Sequence, residues 1–248
     1  MDCVEVVVPL NVSGVWYPVV EPEIRTSGSI GISLTLEPPL TAEACKSEKP
    51  SIVYNNMEID LPHLGRLRRL GNLRLVVDAV VGLGYGYGLS GAVSLAYALA
   101  AAELYGLPEE VALDAAHEAE VINGTGLGDV ASEYFGGGLI YRESPGSPTV
   151  AKVRTFPVEG TVCSKPVEVV PTTRIIARKE CALLLIHEFL RSPSLSKFFE
   201  VSKEFSREFG YEYFRDRTFR KKGLILSMDR CTDGWISHTI ARYGAYVR

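Results

Sequence analysis

The stretch Val80–Gly106, "VVGLGYGYGLSGAVSLAYALAAAELYG", decides the fold. Gly84, Gly86 and Gly88 alternate with bulky residues, and Ser90 and Gly91 then open a long apolar run. Glycine clears side chains from the path of backbone N–H groups. A helix N-terminus adds about half a positive charge. A bare loop running into a helix is therefore an anion cradle, and the common anion is a phosphate. Close helix–strand packing also asks for small residues, but it leaves Gly86 and Gly88 without a reason.

"GYGLSG" (Gly86–Gly91) also fits the GxGxxG dinucleotide pattern. That fingerprint needs a second strand after the helix, ending in an acidic residue. Here a second helix follows, with Pro108 suited to its first position and Glu109 and Glu110 in its first turn. The Walker pattern fails too, since no GK[ST] follows the glycines.

Upstream the chain reads as β. Val4–Pro9, Ser29–Glu37 and Leu73–Val81 carry strand patterns, the last running straight into the glycines. Leu89–Tyr105 is apolar all round, which predicts a buried helix stopped by Gly106. The second helix should end near Asn123-Gly124 and a third, short one should begin at Asp129. A strand at Gly136–Tyr141 and the turn "ESPGSP" follow, and that turn is the candidate boundary between parts 1–148 and 149–248. Beyond it, strands are expected at Val150–Phe156 and Val167–Val170. A helix capped by Ser192, with Pro193 at its first position and Gly210 at its end, should turn Leu195, Phe198, Phe199, Phe205 and Phe209 to the core.

With 248 residues, 46% of them hydrophobic, the chain can build a sizeable core. A net charge of −4 excludes an overall nucleic-acid binder. The basic run "RDRTFRKKG" (Arg215–Gly223) reads as a solvated face, the alternative being a grip on an anion. Cys3, Cys45, Cys163, Cys181 and Cys231 are scattered and the histidines are unpaired, so neither a zinc site nor a disulfide framework is expected. A reducing, cytoplasmic setting follows. The first residues lack a signal-peptide pattern, and the longest uncharged apolar run, Ala92–Ala102, is too short to span a membrane.

On the second helix, Glu110, Asp114, His117 and Glu118 share one face, Val111, Ala115, Ala119 and Ile122 the opposite, buried one. Glu120 falls with Leu113 and Ala116 at the margin of the buried side. A sheltered carboxylate needs a partner. A divalent cation would serve, and so would a basic side chain. Asp129 follows a glycine turn, where it would act as an N-cap or as a group that deprotonates a hydroxyl. A phosphate cradle, a metal-binding carboxylate and a general base are the parts that phosphoryl transfer needs.

"GLGYGYGLSGAVSLAYALA" resembles the second motif of the GHMP kinases, and "HEAEVINGTGLGDVASEYFGG" resembles their segment with a Mg²⁺-binding Glu and a later Asp. The wording "AEVINGTGLGDV … GGGLIYRESPG", "VPLNVSGVW" and "GSIGISLTLE" is most similar to the archaeal pantoate kinases within that superfamily. The resemblance implies the α+β GHMP kinase fold, with a smaller α+β C-terminal part. It implies ATP and Mg²⁺ as cofactors, pantoate as the phosphoryl acceptor in coenzyme A synthesis, and a homodimer without nucleic-acid or membrane partners. By matching position, Gly84, Gly86, Gly88, Leu89, Ser90 and Gly91 would hold the triphosphate, and Ser90 and Glu120 the metal. Asp129 would be catalytic. Arg142, His117, Ser29 and Thr172 (or Thr173) would bind substrate. Action on another small alcohol, or an inactive metabolite-binding paralogue, stays open. Three departures stand out. No third glycine-rich motif precedes the C-terminus, Asn11 stands where relatives carry His, and Ile30 where a basic residue is common.

Overall fold

The computed structural model describes residues 2–171, 179–213, 215–229 and 231–248. Its spine is a long antiparallel pair, β1 (Cys3–Val19) and β2 (Gly28–Lys46). Both extend well past the segments that alternation predicts. β1 is buried on both faces from Val6 to Val15, which makes it a central strand and removes the half-exposed pattern. The register shifts where Pro9 meets Pro38 and Pro39, because proline has no N–H for the ladder. It shifts again at Gly14, where an added Cβ would lie 2.6 Å from the Phe198 ring.

β2 is the hub of the sheet. It pairs with β5 (Leu73–Asp78), with β6 (Leu139–Arg142) and with β11 (Ile236–Ile240). β3 (Ser51–Tyr54) and β4 (Met57–Ile59) extend one edge through β5. On the other side β11 pairs with β8 (Thr161–Pro166), and β10 (Leu224–Ser227) joins β8 to β9 (Thr218–Lys221). β7 (Val153–Phe156) pairs with β6, and β12 (Tyr246–Val247) pairs with β1. Among the described residues the sheet has 12 strands and runs through both halves of the chain. The strand expected at Val167–Val170 is not one. The ladder runs instead through β8, and Val167 and Glu168 hang from the carbonyl of Gly223.

α2 (Leu89–Tyr105) packs between β1 and α3 (Glu109–Asn123) and is buried through most of its length, as its all-apolar sequence requires. Gly106 closes it in the left-handed region, φ 64°. On α3 the buried side is Ala112, Leu113, Ala116 and Glu120 together with Ala115 and Ala119 of the expected face, and His117 is beside it. Val111 and Ile122 are exposed, so the face inferred from them is shifted. The alanines, not the larger residues, meet α2, since small side chains let two helices approach closely. α1 (Leu64–Leu67) and α4 (Asp129–Phe135) complete this layer.

In the C-terminal part α5 (Cys181–Arg191) precedes α6 (Leu195–Arg207). Ser194, not Ser192, caps α6, accepting a hydrogen bond from Lys197 N, because Ser192 is the last-turn cap of α5. Phe198, Phe199 and Phe205 enter the core as their spacing predicts, packing on β1 and β9.

The cysteines correct the sequence expectation. The β1–β2 register sets Cys3 opposite Cys45, with Cα atoms 4.2 Å apart, and the pair is a disulfide. Cys163 on β8 is bonded to Cys231 across 5.4 Å between Cα atoms, leaving Cys181 free. Separations of 42 and 68 residues hide both pairings from a local reading. No helix among the described residues is long and apolar enough to cross a membrane.

Candidate active site at the start of α2

The glycine loop between β5 and α2 floors a cavity of ≈ 270 Å³. Gly84, Gly86 and Gly88 have φ of 87°, 113° and 76°, a region that side-chain-bearing residues avoid, which accounts for the alternation. The bulky residue between the last two is an anchor. Tyr87 is buried, its hydroxyl 2.7 Å from Ser164 Oγ on β8, and its carbonyl accepts from Asn11 N at 3.0 Å. The loop is thus tied to both halves of the chain, and Leu89, Ser90 and Gly91 begin α2 from a fixed start.

Ser90 Oγ donates to Glu120 Oε2 at 3.1 Å. Glu120 is 1% exposed, as its place on α3 predicts. Its other oxygen, Oε1, is 2.6 Å from His63 Nε2, which is also 2.7 Å from Thr125 Oγ1. Asp129 opens α4 on the same cavity. Its Oδ1 accepts from Asn11 Nδ2 at 2.6 Å and from Ser13 Oγ at 3.4 Å. Asn11 and Ser13 reach it together because they lie two apart on β1, on one face. Glu120 and Asp129 converge at Gly126: a Cβ there would strike Glu120 Oε2 and lie 2.9 Å from Asp129 Oδ2. The hydroxyl, the two carboxylates and the glycine loop therefore meet at one place, although they are about 45 residues apart in the chain.

Beneath them is Glu133, one turn after Asp129. It is fully buried and neither of its oxygens has a hydrogen-bond partner. Gly88 and Gly91 leave it room, since a Cβ on Gly91 would sit 3.0 Å from Glu133 Oε2 and one on Gly88 would strike Oε1. Burial, with Asp129 and Glu120 nearby, pushes its carboxyl well above the usual carboxylate range.

Ser29, His117 and Arg142 form a second cluster that does not line the cavity. His117 is buried and its Nε2 donates to Ser27 O at 2.8 Å. Burial lowers its pKa, so the ring is neutral. It does not sit on the solvated face of α3 that the spacing suggests, because a short 3-10 turn, Ile24–Thr26, packs over that face. Arg142 is 2% exposed. It donates to Ser33 Oγ (3.1 Å), Ser132 Oγ (2.6 Å), Ser29 O and Ser29 Oγ (both 3.3 Å). Burial lowers its pKa to about 10 against the pull of Asp129. Among the described residues no carboxylate lies within 4.0 Å of this guanidinium. The cluster backs onto the glycine turn before Asp129, where a Cβ on Gly128 would meet Arg142 and lie 2.8 Å from Ser29 Oγ. Thr172 and Thr173 lie outside the described residues.

Local sequence reading missed His63, Lys221 and Lys222, all of which line the cavity. The two lysines belong to the run read as a solvated face, yet each is only 7% exposed. A charge run gives no sign of folding inward, and only the adjoining glycine hinted at a turn.

The model of the GHMP kinases N terminal domain matches residues 53–137, the span of the glycine loop, Glu120 and Asp129. Pantoate kinase of Methanocaldococcus jannaschii is 30% identical over 194 residues, covering 73% of this chain and 71% of that protein. This chain belongs to the pantoate kinase family of GHMP kinases. The pantoate kinase of Methanospirillum hungatei JF-1 is 23% identical over 219 residues, 82% of this chain and 74% of the relative. Among solved structures, a phosphotransferase related to the coenzyme A biosynthesis pathway superposes with a TM-score of 0.84. It is 17% identical and covers 100% of this chain and 99% of its own. Mevalonate-3-kinase from Thermoplasma acidophilum gives 0.66 at 14% identity, covering 99% and 97%. Both show that the GHMP kinase fold extends over the whole chain. Between β10 and β11 the Cys163–Cys231 bond ties the chain to β8.

Two hard oxygens, Ser90 Oγ and Glu120 Oε2, suit Mg²⁺, which keeps several waters and takes few protein ligands beside substrate phosphates. Among the described residues no three His, Cys, Asp or Glu side chains form a cage that would hold a metal unaided. The donor set fits a metal that arrives with a nucleotide.

Proposed function

We propose that this GHMP kinase transfers the γ-phosphoryl group of ATP to the primary hydroxyl of pantoate, giving 4-phosphopantoate for coenzyme A synthesis. The observation that carries this reading is the meeting of Ser90, Glu120 and Asp129 at the glycine loop. The amides of Gly84–Gly91 and the N-terminus of α2 would receive the triphosphate. Ser90 and Glu120 would hold Mg²⁺, which supplies charge neutralisation for the phosphates. Asp129, held by Asn11 and Ser13, accepts the hydroxyl proton as that oxygen bonds to the γ-phosphorus. The bond from that phosphorus to the bridging oxygen breaks, and ADP leaves. The apolar rim of Leu61, Pro62, Leu83 and Val169 suits a purine base.

Pantoate brings a carboxylate, and Arg142 is a buried cation without an anionic partner among the described residues. We assign Arg142 and Ser29 to that carboxylate, with His117 and Thr172 as further substrate contacts. Residues 1–148 then supply the ATP and catalytic part and 149–248 the smaller second part. We place the protein in the cytoplasm as a homodimer, with no nucleic-acid or membrane partner. ATP is available there.

ADP release measured with pantoate, mevalonate, homoserine and sugars tests the acceptor. Pantoate alone should be turned over, and its failure would remove the assignment. Asp129→Asn should lower kcat by about 10²–10⁴-fold while nucleotide affinity stays near that of the parent. Unchanged turnover would take the base role from Asp129.

A further inference from the structure

A carboxylate ligates a metal well only when a neighbour fixes its orientation. Glu120 is nearly sealed, with Oε2 at Ser90 Oγ and Oε1 at His63. Glycine keeps the space at Oε2 clear, since a Cβ at Gly126 would strike that oxygen. The neighbour on the Oε1 side comes from another part of the chain. After β4 ends at Ile59, Leu61 and Pro62 line the cavity and lead to His63 at the entry to α1. Leu67 N donates to the His63 carbonyl at 3.1 Å, but the His63 side chain does not cap the helix. Its ring lines the cavity instead.

Buried ring nitrogens are ordinarily hydrogen-bonded. His63 departs from that: it is 0% exposed, and Nδ1 has no hydrogen-bond partner. Its side-chain polar contacts are all at Nε2, 2.6 Å from Glu120 Oε1 and 2.7 Å from Thr125 Oγ1. Thr125 fixes which partner gives the proton. Its Oγ1 donates to Glu120 O at 3.3 Å, and its N–H donates to the same carbonyl at 3.1 Å. The hydroxyl proton is thus spent on the end of α3, Oγ1 accepts from the ring, and Nε2 carries the N–H. Among the described residues no hydrogen bond reaches Oε1 from any other group. The unpaired Nδ1 is the cost of setting this N–H against the carboxylate.

The short helix that carries His63 is itself tied to α3. Arg66, three residues on, forms an ion pair with Glu118, two residues before Glu120. That pair is partly exposed and docks α1, whereas the buried contact bears on the carboxylate that faces the cavity.

We propose that His63 is a positioning residue: its Nε2–H, steadied by Thr125, holds Glu120 by Oε1 so that Oε2 and Ser90 Oγ are presented to the metal of a metal–nucleotide. His63 itself ligates nothing and exchanges no proton. This deepens the kinase reading and rests on it.

Mn²⁺ is the probe, because its free aquo ion is counted directly by electron paramagnetic resonance. Mn²⁺ uptake by the full chain is measured with ADP present, beyond that held by ADP alone, and ADP binding is measured separately without metal. His63→Leu fills the ring's space without a donor and should weaken Mn²⁺ binding about 10–100-fold. His63→Gln, whose amide nitrogen can stand where Nε2 does, should recover most of that loss. Metal-free ADP should bind both variants as it binds the parent. A His63→Leu protein that holds Mn²⁺ as tightly as the parent overturns the proposal. An equal loss of metal-free ADP binding, or no recovery by His63→Gln, overturns it too, since either marks a merely structural role. If His63→Leu does not fold, Thr125→Val removes only the hydroxyl that steadies the ring. It should weaken Mn²⁺ binding in the same direction, and unchanged binding refutes the proposal. A parent chain that takes up no Mn²⁺ with ADP removes the kinase reading and this role together. Parental uptake that the variants leave untouched removes the role of His63 alone.

Discussion

At the scale of single residues, the site separates two kinds of carboxylate by their surroundings. Asp129 accepts two hydrogen bonds and faces the cavity, whereas Glu133, four residues on, has no hydrogen-bond partner and is sealed beneath Gly88 and Gly91. The upward shift of Glu133 favours its neutral form, which carries no third negative charge beside Glu120 and Asp129. Its raised pKa has a consequence for stability. In the unfolded chain this carboxyl ionises above its ordinary value of 4.5, while in the fold burial raises that value. The unfolded state then binds fewer protons, so stability falls as pH rises from 4.5 toward the folded value. Glu133→Gln removes that slope. In urea unfolding at pH 5 and pH 8, the variant should gain on the parent at the higher pH, by up to about 1.4 kcal/mol per pH unit. A gap that stays constant would show that Glu133 is ionised in the folded protein.

At the scale of elements, the glycine loop and α2 behave as one unit. α2 is buried through most of its length, so its start is fixed by packing and cannot adjust to a ligand. The loop in front of it must supply the conformation, and left-handed glycines do so. Gly88→Ala adds a methyl group at φ 76°, against Glu133 Oε1 and 3.1 Å from Asn11 Cβ. It should destabilise the protein by about 1–3 kcal/mol in thermal or denaturant unfolding. It should also raise KM for ATP about tenfold, because Asn11 and the loop amides move together. A variant with parental KM would mean that the loop does not hold the nucleotide. In the β9–β10 hairpin the left-handed Lys222 turns the chain so that Lys221 and Lys222 both line the cavity.

At the scale of the whole molecule, one sheet joins the halves. β11 and β12 return from the C-terminal part to pair with β2 and β1, and Tyr87 of the glycine loop bonds to Ser164 on β8. The two disulfides reinforce that closure at β1–β2 and at the β8 side of the cavity. Thiol titration of the denatured, unreduced protein should find one free thiol, Cys181, and five after reduction. Five before reduction would refute the pairing. Each bond closes a long loop, so reduction should lower unfolding free energy by about 2–4 kcal/mol per bond, read as a fall in Tm.

Much of this protein is written locally. The glycine alternation, the all-apolar helix after it, the sheltered Glu120 and an Asp129 at the start of a short helix each follow from spacing within about one helix length, although Gly128 and not Asp129 is the cap of that helix. Those are the features whose physics is short-ranged: backbone freedom, helical periodicity and end charge. Contacts between residues far apart in the chain were left to the fold. The register of β1 on β2 joined Cys3 to Cys45, α2 chose the alanine face of α3 over Val111 and Ile122, and the packing of residues 24–26 buried His117. A single left-handed residue carried Lys221 and Lys222 from an expected surface into the cavity. No window of sequence contains both partners of such a contact, so local pattern cannot rank it against solvent, and only the assembled sheet brings the two ends together.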